Sequence, residues 1–261
     1  MSQKVTAATY WIGYQTIVIK EINRILRIWA QTLIPPVITM SLYFVIFGAI
    51  IGERVGEMGG MPYMDFIVPG LIMLSVITNS YGNITSSFFG AKFGKHVEEL
   101  LVSPLPPWII LAGYVSGAVF RALAVGILVW LVAGVFSGFH MHNALVTFSV
   151  LLLTAMVFSL AGFINAIYAQ KFDDISIIPT FVLQPLTYLG GVFFSVSLLP
   201  GIAQQLALAN PIVYMVNAFR YGLLGVTDVP LWMAYLMMLG FGGVLFLICL
   251  HLLTKGVGLR S

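Results

Sequence analysis

Long uncharged stretches alternate with short polar ones along this chain. No Asp, Glu, Lys or Arg occurs from Ile28 to Gly52, Phe66 to Ala91, Ala122 to Gln170, Ile175 to Phe219 or Val229 to Thr254. A helix needs about 20 apolar residues to cross the ~30 Å hydrocarbon core, so the first, second and last stretches hold one span each and the third holds two. The pattern predicts an all-α integral membrane protein with six transmembrane helices, over residues 29–52, 66–90, 108–136, 144–168, 175–196 and 231–253.

Residues 1–28 precede the first span and read as an amphipathic helix rather than a cleavable signal, because no short apolar core with a small-residue cleavage site is present. Val18, Ile22, Ile25 and Trp29 share one face, with Lys20, Asn23, Arg24 and Arg27 opposite. Such a helix lies on the membrane surface. It serves as a topology anchor or as a docking surface for a cytoplasmic partner.

Six crossings place both termini on one side. Lys4, Lys20, Arg24, Arg27, Lys92, Lys95, Lys171, Lys255 and Arg260 fall there, against Arg54 and Arg220 opposite, so both termini and the 255–261 tail are expected in the cytoplasm.

Between the fifth and sixth spans, residues 197–230 are too apolar for a solvated loop and too broken for a crossing. Pro200-Gly201, Asn210-Pro211 and Thr227-Asp228 divide them into two short pieces, the length of re-entrant helices. Pro211 suits a first helical turn, and Arg220 is expected to snorkel at the outer interface. A crossing at 212–230 is the rival. It would bury Arg220 and move Lys255 and Arg260 to the side poor in basic residues.

The most polar stretch, 92–107, reads as a short amphipathic helix ended by Pro104, Pro106 and Pro107, a stiff elbow able to transmit force between two spans. Inside the membrane, Arg121 carries the largest insertion cost, ~2.5–3.5 kcal/mol, and should face protein or water. Gly113 and Gly117 on the same stripe admit another helix closely. Ser75, Asn79, Asn83 and Ser86 form a polar stripe on the second span, and Arg121 is expected to bond to it. Two roles stay open for Arg121, Asn79 and Asn83: an interhelical clamp, or the lining of a route for a polar or anionic substrate. Pro179, Pro185 and Gly190-Gly191 should kink the fifth span.

Two separated motifs carry a family resemblance. Glu99-Leu-Leu-Val-Ser-Pro-Leu-Pro106 resembles the segment after the second span of ABC-2 type transport permeases, membrane subunits of bacterial ATP-binding-cassette exporters. The family's long signature matches at Leu183, Leu186, Leu189, Gly190, Val192, Leu199 and Pro200, then Pro211-Ile-Val-Tyr214 and Arg220. With Phe172-Asp-Asp-Ile-Ser176 and the terminal Gly258-Leu-Arg-Ser261, the chain is similar to Gram-negative inner-membrane members of that family. The resemblance spans nearly the whole chain and implies a type V exporter-like fold. It implies a homodimeric permease driven by two copies of a separate ATPase, with the elbow as the coupling helix through Glu98, Glu99, Leu100, Pro104 and Pro106. ATP and magnesium would be bound by that ATPase, and no cofactor is expected on this chain.

Composition narrows the alternatives. The chain is 60% hydrophobic and 8% charged, with mean hydropathy +1.01, which leaves no room for a water-soluble catalytic domain. Gly90-Ala-Lys-Phe-Gly94-Lys95-His96 is one residue short of a phosphate-binding loop and lacks its Ser or Thr. Cys249 is the only cysteine, and His140-Met141-His142 offers two imidazoles without a third ligand, so neither disulfide nor metal site is assigned. No basic run suggests nucleic acid. An ATP-independent secondary transporter or lipid scramblase is the alternative, yet all nine Asp and Glu lie in loops or at span ends rather than within the bilayer.

Overall fold

The computed structural model describes residues 7–259, so Lys4 and Arg260 of the basic count lie outside the described residues. Helix α1 (Ala7–Arg27) ends at Ile28, whose φ of −115° and ψ of 33° break the helix before α2 (Trp29–Tyr43). A π-helical stretch, Phe44–Ile51, and a last turn, α3 (Gly52–Val55), complete the first apolar rod. A two-residue hairpin, β1 (Glu57–Met58) with β2 (Met61–Pro62), leads into α4 (Tyr63–Phe93). The elbow helix α5 (His96–Val102), then α6 (Pro107–Ser137) and α7 (Ala144–Tyr168), follow.

Among the described residues, five helical rods are long and apolar enough to cross a membrane: 29–55, α4, α6, α7 and α12 (Leu231–Lys255). In α4, 83% of the apolar window is buried against 18% in the first rod, so α4 is the central post and the first rod lies at the edge. Close approach is built with glycines. A Cβ on Gly162 of α7 would stand 2.6 Å from the Tyr81 carbonyl oxygen of α4, and the Phe88 and Phe163 rings meet across the same crossing, tilted by 41° with centroids 4.1 Å apart.

The fifth predicted span takes a different form. Residues 174–188 are helical, as α8 (Asp174–Ile178), a π-helical turn beginning at Pro179 and α9 (Gln184–Tyr188), and Gly191 at φ +74° turns the chain away. At 1.5 Å per residue this stretch is about 22 Å long, shorter than the predicted 175–196 rod. It still runs from one end of the bundle toward the other. Asn165 near the end of α7 donates to the Ile175 carbonyl at 3.1 Å, and Tyr63 at the start of α4 donates to the Phe193 carbonyl at 3.0 Å.

Residues 197–230 form α10 (Gly201–Leu208) and α11 (Pro211–Leu224). Asn210 caps α11 by accepting from Ile212 N, with Pro211 in the first turn. Ser195 and Val196 both donate to Asp228, so the two ends of this segment meet at one place. The ends of α4, α7 and α12 gather at the opposite pole, where Lys92 donates to the Ala169 carbonyl at 2.8 Å and Gly258 lies against Ile167.

Candidate functional site

Apolar contacts hold the inner side of the elbow, and its outer side is exposed. Lys95, at φ +61°, turns the chain out of α4, after which Val97 is buried and Leu100 and Leu101 rest against the core. Glu98, Glu99 and Val102 point to the exterior, Val102 being 85% exposed. The backbone bends at Ser103 and Pro104, and Pro106 is extended before α6 begins at Pro107. Beside the elbow lies a cavity of about 500 Å³, walled by Phe93, Glu98, Tyr168 and the Val257–Leu259 turn.

Helix α1 links this elbow to the spans. Leu105 fills the space over Gly13, Ile17 packs where Gly113 lacks a side chain, and Glu21 packs where Gly117 does. The stripe Gly113, Gly117 therefore admits α1. Glu21 is fully buried, accepts from Ser87 at 2.6 Å and pairs with Arg24 at 3.2 Å. Lys20 Nζ lies 3.1 Å from the second Glu21 oxygen, an ionic contact without hydrogen-bond geometry, and donates to the Tyr114 hydroxyl at 3.0 Å. Burial lowers the Lys20 pKa, but Tyr114 and Glu21 outweigh it and leave the pKa above the usual lysine value.

This arrangement corrects two expectations. The inward face of α1 is centred on Ile17, Glu21 and Ile25, while Trp11, Ile19, Leu26 and Trp29 are exposed. Val18 and Ile22 of the predicted apolar face are half-buried beside Ile25, and Lys20, Asn23 and Arg27 of the predicted polar face are exposed, so the wheel is turned only slightly, enough to bring Glu21 inside. Arg121 also has no bond to Asn79 or Asn83 among the described residues. Asn83 is taken by Arg24, whose Nη2 donates to its side-chain oxygen at 2.8 Å, and Asn79 bonds to the Ser75 carbonyl of its own helix. Arg121 turns instead to the Thr32 carbonyl at 3.4 Å. That oxygen is free because Pro36, four residues on, has no N–H to offer it.

Arg220 is likewise not a snorkelling residue. It is 1% exposed, stands 3.9 Å over the Phe66 ring and donates to the Gly191 carbonyl at 2.6 Å and to Asn217 at 3.3 Å. Its signature neighbours surround the same hairpin. Gly190 leaves room for Ile212, Pro200 and Pro211 start α10 and α11, and Tyr214 donates to the Leu208 carbonyl at 2.9 Å. Gly190, Tyr214 and Arg220 thus tie the 190–191 turn and α10 to α11.

A further cavity, about 260 Å³, lies between α2, α4 and 179–188. Thr39, Tyr43, Thr78, Thr180, Gln184, Thr187 and Tyr188 supply its polar groups, and no charged side chain lines it. Next to it Thr78, Gly82, Ser86 and Gly90 make an exposed stripe on the otherwise buried α4, and added Cβ atoms at Gly82 and Gly90 would meet nothing within 4 Å. Glu21, Arg24 and Ser87 were not predicted as a cluster. The signal available was a carboxylate four residues from both Ile17 and Ile25.

The profile of the ABC-2 type transporter family matches residues 13–224. The chain is 56% identical to inner membrane transport permease YadH of Escherichia coli K12 over 252 residues, covering 97% of this chain and 98% of that protein. It is 28% identical to nodulation protein J of Rhizobium leguminosarum bv. viciae over 185 residues, 70% and 71% of the two chains. With this match over most of its length and its apolar rods, the chain belongs to the ABC-2 type transporter family and is a multi-pass inner-membrane transport permease.

Proposed function

We propose that this chain is the membrane half of an ATP-driven exporter, working as a homodimer with two copies of a separate ATPase that binds ATP and magnesium. The carrying observation is the exposed Thr78, Gly82, Ser86, Gly90 stripe beside the uncharged cavity of α2, α4 and 179–188. Small residues at four-residue spacing are what helices in lipid use to approach one another. Two copies meeting there would enclose the hydroxyl- and amide-lined cavities between them as an uncharged route.

In this reading 175–193 is a short fifth crossing, 196–228 enters and leaves on the outer side, and both termini are cytoplasmic. The nine-to-two basic asymmetry and the Ser195–Asp228 closure support it. The elbow then faces the ATPase with Glu98, Glu99 and Leu100, stiffened by Pro104 and Pro106.

Cysteine crosslinking tests this in a Cys249→Ser background. Ser86→Cys or Gly82→Cys should give an oxidised dimer, and Leu247→Cys on the far face of α12 should not. Dimers through α12 alone, or a chain that never copurifies with an ATPase, would defeat the proposal.

A further inference from the structure

We propose that the outer ends of α6 and α7 hold a dedicated site for one zwitterionic phospholipid, with its head in a polar cavity and an acyl chain in an apolar groove beneath. "Outer" follows the orientation proposed above; the site and its test do not depend on it.

The polar cavity, about 460 Å³, opens where α4 begins, α6 ends and α7 begins. Asp65, His140 and His142 supply its polar side chains. Asp65 has no hydrogen-bond or ion-pair partner among the described residues. A carboxylate attracts an ammonium, and the neighbouring imidazoles can donate N–H groups to phosphate oxygens. The head that matches all three carries both charges.

The groove, about 270 Å³, continues from this cavity, since Met141 and Leu223 line both. Its walls are Ile72, Ile127, Trp130, Phe148 and Leu151, with Thr147 its only polar side chain. Ile127 lies ten residues below the α6 end and Leu151 seven beyond the α7 start, depths of about 15 and 10 Å. That is one leaflet, half of the ~30 Å core. The mouth faces sideways, with Ile127 49% and Phe148 57% exposed, so what reaches it is the bilayer's own chains. Trp130 lines the groove and also a small cleft shared with Asp65 and His140, which joins the two compartments.

The test uses the full chain, delipidated in detergent, with phosphatidylethanolamine or phosphatidylglycerol of identical acyl chains as probes. Native mass spectrometry should show phosphatidylethanolamine retained with a preference of about fivefold, the size expected of one partly exposed ion pair. Asp65→Asn should remove the preference but keep lipid binding, and Leu151→Trp, which fills the groove, should remove binding of both. Should the groove variant fail to fold, a benzophenone amino acid in place of Phe148 decides independently: irradiation should give a lipid adduct. Equal retention of the two lipids, or a Phe148 adduct to a second copy of the chain instead of lipid, would overturn the proposal.

Discussion

Arg24 on the N-terminal helix donates to the side-chain oxygen of Asn83 at 2.8 Å, ten residues above the elbow end of the central span. Ser87, one turn lower, donates to the buried carboxylate of Glu21 at 2.6 Å. Helix α1 is thus tied to α4 by two hydrogen bonds that each have one charged partner, sterically keyed to α6 and in contact with Leu105 of the elbow. The same helix leads directly into the first apolar rod at Ile28.

Arg24→Ala and Asn83→Ala should therefore be coupled. A charged hydrogen bond contributes ~1.5–3 kcal/mol when buried, and Arg24 is partly exposed, so a double-mutant cycle by thermal denaturation should return about 1 kcal/mol. Arg24→Lys should restore little, because one ammonium cannot serve Glu21 and Asn83 in the same geometry. A coupling of zero would remove the tie.

Glycine substitutions should separate packing from space. Gly117→Leu drives a side chain into Glu21 and should destabilise by about 1–3 kcal/mol while freeing α1 to proteolysis. Gly82→Ala meets nothing in one copy and, as a mid-helix replacement, should be neutral or stabilising in the monomer. If Gly82→Ala leaves the fold intact but weakens the dimer, the stripe is the contact; an unaffected dimer would argue against it.

Removing Arg220 strips a donor from the Gly191 carbonyl and from Asn217 and uncovers Phe66. Arg220→Ala should cost about 3 kcal/mol or more, seen as a lower melting temperature and poor membrane yield. Near-normal stability would mean the hairpin is held by its apolar contacts alone.

At the elbow, Glu98→Ala with Glu99→Ala should leave membrane insertion intact and reduce copurification of the ATPase or its stimulation. Pro104→Gly with Pro106→Gly should instead keep binding and lower transport per ATP hydrolysed, as flexibility replaces a stiff joint. Normal behaviour of both variants would detach the elbow from coupling.

Asp174 accepts from the Gln170 and Lys171 amides at 2.8 and 2.9 Å, and these bonds hold its pKa below the usual carboxylate value. A lowered folded pKa gives stability that is whole above the unfolded value of about 3.9 and is lost as pH falls through the folded one. The melting-temperature gap between the native chain and Asp174→Asn should hold from neutral pH down to about pH 5 and close at lower pH. A gap that persists in acid would place the effect elsewhere.

Hydropathy alone determined the apolar rods, the elbow and the broken segment before α12, because burial in lipid demands long runs without charge and every interruption shows. Proline and asparagine marked Pro200, Asn210 and Pro211 as helix starts for equally local reasons. The fifth rod was misjudged in length because apolarity continues past Tyr188 while Gly191 turns the backbone. The tertiary structure alone decided which polar groups meet. Arg121, Arg24 and Arg220 all needed partners, and periodicity ranks their candidates without choosing. The choice was made by Gly113 and Gly117, which let α1 come close enough for Arg24 to reach Asn83, and by Pro36, which left the Thr32 carbonyl open to Arg121. Such pairings depend on helix separation and rotation, quantities that packing sets and one-dimensional pattern does not contain.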